Sequence, residues 1–218
     1  IHLHIGARMS DGTVYDADYY LRGKESGKSL YSNYRWMPTL TMSMVSRIIS
    51  HCGIKPNHSI LDFGAARGYS VKALRELGYC AFGVDVSEWA VENCHPDVRE
   101  YMQLNDTVPT FSKFDWIIAK DVLEHIPHVA DLIDNMMFHA SVGMFAVVPL
   151  SISDGGMYVV GDYERDVTHI HRLTLATWAR MFTRHGWAST LAYRVPGVKD
   201  NYADYERGNG FITARRIS

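Results

Sequence analysis

The chain has 218 residues, 47% of them hydrophobic and 21% charged, with a formal charge of −2 and eleven histidines. That length suits one sizeable α/β domain with a real core and is short for two. The near-neutral balance, without a run of like charges, argues against a basic nucleic-acid face. No apolar run reaches the ~18 residues of a membrane span. No charged segment followed by an apolar stretch marks a signal peptide, so a cytoplasmic protein is expected. Cys52, Cys80 and Cys94 are widely spaced and never form C-x-x-C; they read as small buried hydrophobes in a reducing compartment.

Residues 1–37 are polar, aromatic and irregular, with Tyr15, Tyr19, Tyr20, Tyr31, Tyr34 and Trp36 but few aliphatic side chains. They read as an arm or lid laid against a single domain spanning 38–218. Pro38 suits the first turn of a helix. Leu40, Met44 and Ile48, with Val45 and Ile49, then recur at i, i+4 and give it one apolar face. From residue 59 the pattern alternates. "SILDFG" reads as a short strand, "YSVKALRELG" as a helix closed by Gly78, and "CAFGVDVS" as a second strand whose Ser87 caps the helix "EWAVENC". "VREYMQL" is predicted as the third strand and "FDWIIAK" as the fourth. The helix "VADLIDNMMFHA" and the almost wholly apolar fifth strand "GMFAVVP" follow. Strands without a polar face belong to a parallel sheet covered by helices on both sides. Residues 150–174 are loop-like and rich in Gly, Asp and His. "LATWARMFTRHG" is an amphipathic helix, and "WASTLAYRV" and "GFITARRI" read as an antiparallel pair.

The turn after the first strand carries the first chemical signal. A dinucleotide fingerprint placed on Gly64 fails at Ala66 and Tyr69, and no G-K-[ST] follows to make a Walker loop. What stands there is Asp62-x-Gly64-x-Ala66-x-Gly68, a carboxylate followed by small residues. "LDFGAARG" resembles the first motif of class I S-adenosylmethionine-dependent methyltransferases, usually D/E-x-G-x-G-x-G. Ala66 occupies the middle glycine position, where a methyl group is acceptable if φ stays negative. Three further segments match in order. "GVDVS" ends the second strand on Asp85, "QLNDTVP" places Asp106 after the third strand, and "FDWIIAKDVLEHIP" runs the fourth strand into Lys120 and Asp121.

The resemblance covers roughly residues 38–195 and is strongest over 59–127. It implies a Rossmann-like, doubly wound sheet of seven strands in the order 3-2-1-4-5-7-6, with strand 7 antiparallel. It also implies S-adenosylmethionine as cofactor and S-adenosylhomocysteine as product. In that reading Asp62, Gly64, Ala65, Ala66 and Gly68 cradle the methionine end, Asp62 meeting its ammonium group. Asp85 accepts from the ribose hydroxyls beside Val86. Asp106 and Thr107 meet the adenine, and Lys120 and Asp121 flank the site. Tyr34 and Arg35 reach it from the arm, Arg35 toward a carboxylate.

Two features bear on the acceptor. Asp121, Glu124 and His125 form D-x-x-E-H, similar to the E-x-x-E-H of ubiquinone O-methyltransferases, which can hold a divalent cation. The expectation here is loop-orienting hydrogen bonds and no metal. "DVTHIHRLTLATWARMFTRHGW" resembles a C-terminal segment common in the superfamily. His169 and His171 fall on one side of it, and His169 or His125 is a candidate general base. The expected activity is methyl transfer to oxygen or nitrogen of a small-molecule acceptor by a monomer or homodimer, with no nucleic-acid partner. The alternatives are a nucleic-acid or protein methyltransferase, an NAD-dependent oxidoreductase, and a non-catalytic cofactor-binding protein. The failed G-x-G-x-x-G speaks against the oxidoreductase, and "KDVLEH" in place of N/D-P-P-Y/F speaks against the nucleic-acid enzyme.

Overall fold

A computed structural model describes residues 12–110, 112–184 and 186–217. Residues 1–11 of the expected arm lie outside the described residues. The remainder of the arm holds a 3-10 turn at Gly12–Val14 and then two short helices, α1 (Ala17–Leu21) and α2 (Gly23–Ser26). Asp16 caps the first, its Oδ1 accepting from the Tyr19 amide at 2.9 Å. Helix α3 (Pro38–Cys52) starts on Pro38, as expected, and ends on Gly53 at φ +60°.

The sheet then builds in alternation with helices: β1 (Ser59–Phe63), α4 (Tyr69–Glu76), β2 (Cys80–Asp85), α5 (Glu88–Glu92), β3 (Met102–Leu104), β4 (Phe114–Lys120), α6 (Val129–His139), β5 (Ala140–Pro149), α7 (Leu175–Phe182), β6 (Trp187–Ala192) and β7 (Asn209–Arg216). The strand order is β3-β2-β1-β4-β5-β7-β6. The first five strands pair in parallel, and β7 pairs antiparallel with both β5 and β6. This is the expected fold. Ser87 caps α5 as expected, its Oγ accepting from the Ala90 amide at 2.9 Å.

Alternate residues of each central strand serve opposite faces. Ile60, Trp116, Ile118, Phe145 and Val147 pack against α3 and α4, through Val45, Ile48, Val71 and Leu74. Leu61, Ile117, Ala119, Met144, Ala146 and Val148 face the other way, onto Leu132, Ile133 and Met136 of α6 and Trp178 and Phe182 of α7. Trp116 and Trp178 are fully buried, and each deletion to alanine would cost about 3–5 kcal/mol.

Two expectations change. The third strand is only three residues long, because Pro96–Tyr101 winds into a 3-10 helix. Pro96 fixes the first turn, and Val98 fills the core from it. Cys80 is exposed at the start of β2, while Cys52 and Cys94 are buried. Among the described residues no helix is long and apolar enough to cross a membrane.

Candidate active site

Strand order reverses between β1 and β4, so the connections leave the sheet in opposite directions and open a crevice at the carboxyl ends. A cavity of about 760 Å³ lies there. It is lined by Asp62, Gly64, Ala65 and Ala66 from β1 and its turn, and by Asp85 and Val86 from β2. Lys120, Asp121, Glu124 and His125 line it from beyond β4, Tyr34 and Arg35 from the arm, and His169 from the loop after β5. Three expected residues are not part of the lining: Gly68, Asp106 and Thr107. Gly68 starts α4, and a Cβ there would meet Met102 and Val98 at 2.9 Å, so its smallness serves packing. The Thr107 amide and hydroxyl face back to Asn105 Oδ1. The side of Val86 is covered by the arm, where a Cβ on Gly12 would lie 2.3 Å from the Val86 carbonyl oxygen.

The turn after β1 is held from β2. The Gly64 and Ala65 amides both donate to the Val84 carbonyl at 2.9 Å. Gly64 has φ +75°, and a Cβ would collide with Val122 at 2.3 Å, so glycine is required twice over. Ala66 corrects the sequence reading: its φ is +48°, in the left-handed region, where negative φ was expected. Such a conformation costs a non-glycine residue about 1–2 kcal/mol. The compensation is visible, since the Ala66 amide donates to Asp85 Oδ2 at 2.6 Å and the Ser87 amide to Asp85 Oδ1 at 2.8 Å. Asp85 therefore locks the turn as well as facing the cavity.

Asp62 is buried, and its pKa is pushed up to about 7 by burial, with Lys120 opposing and Asp85 adding to the rise. A carboxyl group in that state is poised for a cationic ligand group. Among the described residues Arg35 has no ion-pair partner; it lines the same cavity, exposed.

The far wall has different chemistry. Asp121 follows β4 at φ +58°, its amide donating to the Val147 carbonyl. Lys120 Nζ lies 2.5 Å from its Oδ2, and Lys199 Nζ lies 2.6 Å from its Oδ1. Burial alone would raise the pKa of Asp121, but the two ammonium groups outweigh it and hold the group well below the usual range. Asp121 is thus occupied by lysines and stands apart from Glu124 and His125. The set that converges is Glu124, His125 and His169, one ligand-type atom each within 4.8 Å of one another. Glu124 Oε1 lies 4.0 Å from His125 Nε2 and 3.9 Å from His169 Nε2. Among the described residues its buried Oε2 has no hydrogen-bond partner. Burial, then the charge of Asp121, raises Glu124 to about 8. Burial, then His169, lowers His125 to about 4, and burial also lowers His169. Near neutral pH this wall is two uncharged imidazoles around a carboxyl group that keeps its proton, an arrangement able to share a proton or a cation.

His171 is elsewhere: its Nε2 donates to the Ile126 carbonyl at 2.6 Å, tying the loop down. Three participants were not singled out from the sequence. Asp166 and Thr168 stood inside the quoted segment beginning "DVTH", where histidine drew the weight. Lys199 arrives from the connection between β6 and β7, and no local pattern marks it.

A family model described as a methyltransferase domain matches residues 35–191. The chain belongs to that methyltransferase family. No curated protein matches its sequence. Solved structures share the fold at low identity. The plantazolicin methyltransferase BpumL, crystallised with a triazolic desmethylPZN analog and SAH, has TM-score 0.62 and 13% identity over 84% of this chain and 86% of that one. The Burkholderia thailandensis 1,6-didemethyltoxoflavin-N1-methyltransferase has TM-score 0.60 and 16% identity, over 83% and 80%. A complex of the Haloferax volcanii Trm112 methyltransferase activator with a methyltransferase gives TM-score 0.65 and 13% identity, over 96% and 98%.

Proposed function

We propose that this methyltransferase moves a methyl group from S-adenosylmethionine to an oxygen or nitrogen of a small-molecule acceptor, with His169 or His125 receiving the acceptor's proton. The observation that carries the reading is the meeting of two imidazole Nε2 atoms and Glu124 on the far wall of the cavity that Asp62 and Asp85 line.

The residues present fit the donor. Asp62 suits its ammonium group, which would replace the proton that burial favours. Arg35 suits its carboxylate, and Asp85 suits the ribose hydroxyls, since each of its oxygens takes one backbone amide and retains a lone pair. When bound, S-adenosylmethionine supplies a methyl group already activated on a sulfonium, so the protein's task is alignment and a dry site. The arm contributes to dryness: Tyr15, Tyr19 and Tyr20 are buried, and all three line the cavity. On the acceptor side, an imidazole kept neutral by burial can take a proton at Nε2 as the acceptor oxygen or nitrogen gains its methyl group. Glu124 and Asp166 then face the new imidazolium, their nearest oxygens 3.9 and 4.0 Å from His169 Nε2.

Three observations favour a small acceptor. The cavity volume is in the range of small-molecule pockets. The arm and the β6–β7 connection both contribute to its walls, through Tyr31 and Tyr202. The net charge of −2 offers no field for a polyanion. Two structural relatives were crystallised with small ligands, a desmethylPZN analog and 1,6-didemethyltoxoflavin. The test is formation of S-adenosylhomocysteine from labelled donor with separate pools of hydroxyl compounds, amines, protein and RNA. Turnover is expected only with small molecules, and it should be lost in His169→Ala. Methylation confined to protein or RNA would overturn the reading.

A further inference from the structure

The arm makes polar contact with the acceptor wall through Tyr19. The Tyr19 hydroxyl donates to Asp166 Oδ2 at 3.0 Å, across 147 residues of sequence. Asp166 Oδ1 accepts from the Thr168 hydroxyl at 2.5 Å and from the Thr168 amide at 3.0 Å. The Thr168 oxygen lies 2.8 Å from His125 Nδ1.

Counting protons along this chain of contacts fixes its direction. A threonine hydroxyl has one proton. With that proton spent on Asp166, the Thr168 oxygen can only accept, so the His125 proton sits on Nδ1. Nε2 is then bare and faces Glu124. We propose that Tyr19 is a positioning residue for His125: through Asp166 and Thr168 it holds the imidazole in the tautomer whose Nε2 lone pair faces the cavity. The inference rests on the reading of His125 as a proton acceptor, which that tautomer makes possible.

The alternative state shows why Tyr19 matters. If the Asp166 carboxylate turned its Oδ1 away from the Thr168 hydroxyl, Thr168 would be free to donate to His125 Nδ1, and the ring proton would move to Nε2. The imidazole would stay neutral, its lone pair turned away from the cavity. Tyr19 opposes that rotation by fixing Asp166 Oδ2, and burial holds the phenol's pKa well above its usual value, so it stays a donor. The same wall presents Glu124, His169, Asp121 and the edge of Tyr15 to His125. His169 has its own anchor, Nδ1 donating to the Tyr163 carbonyl at 3.0 Å, which leaves its Nε2 bare by an independent route.

The seating of the arm does not depend on the Tyr19 hydroxyl. Asp16 caps the Tyr19 amide, the Ser29 hydroxyl donates to the Tyr19 carbonyl at 2.6 Å, and the Ser87 hydroxyl donates to the Tyr15 carbonyl at 2.6 Å. The Tyr19 ring packs edge-on against Tyr15 and Tyr20. Tyr19→Phe should therefore keep the arm in place and remove only the donor.

The experiment is a long-range ¹H–¹⁵N spectrum of the full chain with labelled histidine, chelator-treated, with S-adenosylhomocysteine, at neutral pH. In the wild type His125 should show a protonated Nδ1 and a bare Nε2. Tyr19→Phe should move the tautomer ratio about tenfold toward Nε2–H, the scale of one lost hydrogen bond to a charged acceptor. Thr168→Val should move it at least as far, and Thr168→Ser should restore the wild-type signature. His169 should keep its tautomer throughout. A wild-type His125 already protonated on Nε2 would overturn the proposal, as would an unchanged ratio in folded Tyr19→Phe. If the tautomer responds as described but no acceptor is turned over, the positioning role stands and the proton-acceptor role falls. Near-ultraviolet circular dichroism identifies a variant that has failed to fold, and Asp166→Asn then serves as the second probe.

Discussion

The cavity has two halves built in different ways. On the β1–β2 side, the turn 64–68, Asp62 and Asp85 come from two adjacent strands, and each supports the next: Asp85 holds the Ala66 amide that shapes the turn. On the β4 side, Glu124 and His125 follow a strand, Asp166, Thr168 and His169 come from the loop after β5, Lys199 from the β6–β7 connection and Tyr19 from the arm. The first half is formed by two neighbouring strands and the turns that follow them. The second exists only when four distant segments have docked. In the proposed function the first half binds the donor and the second meets the acceptor, a division that suits a fold reused for many acceptors.

If the halves are separable, damage to one should leave the other's function standing. The largest effect is expected from His169→Ala. It should lower kcat by about 100- to 10,000-fold, the usual worth of a general base, while S-adenosylhomocysteine affinity stays within about twofold of wild type. Equal losses in both, measured by turnover and calorimetry, would join the halves. Asp85→Ala should do the reverse. Affinity should fall by about 100-fold or more, because a charged hydrogen-bond acceptor and the anchor of the Ala66 turn are lost together. The His125 tautomer should be unchanged in the same variant.

A smaller effect separates the two carboxyl groups by pH. The raised pKa of Asp62, about 7, means that a cationic ligand group must displace its proton. S-adenosylhomocysteine affinity should therefore rise up to about tenfold per pH unit below about 7 and level off above it. Asp62→Asn should bind more weakly and lose that slope; a slope that survives would place the titration elsewhere. The smallest expected change is Ala66→Gly. It relieves a left-handed φ of +48°, so unfolding free energy should move by no more than about 1 kcal/mol in either direction, relief of strain opposing the added chain entropy. A loss well beyond that would mean the Ala66 methyl group has a packing role.

The same contrast explains what could be read from the sequence. The alternation of strands and helices, the caps at Pro38 and Ser87, and the positions of Asp62, Gly64 and Asp85 follow from residues within a few places of one another, whereas the strand order was implied by the family resemblance. The sign of φ at Ala66 was misjudged because it is set by Asp85, 19 residues away. The third strand was drawn too long because apolar alternation persists through Pro96–Tyr101, where proline and the need to bury Val98 impose a turn. On the acceptor side the motif residues were visible, but their grouping was not. Asp121 stands apart from Glu124 and His125, its oxygens taken by Lys120 and by Lys199, 78 residues on. Nothing local encodes that contact, just as nothing near Tyr19 announces Asp166.

The proposed function depends on an S-adenosylmethionine-type cofactor held beside Asp62 and the turn at Gly64–Ala66. Calorimetric titration of the folded wild-type chain with S-adenosylhomocysteine and, in parallel, with NAD tests it most directly. Micromolar binding of S-adenosylhomocysteine and none of NAD is expected. Binding of NAD, or of neither compound by protein shown to be folded, would contradict it.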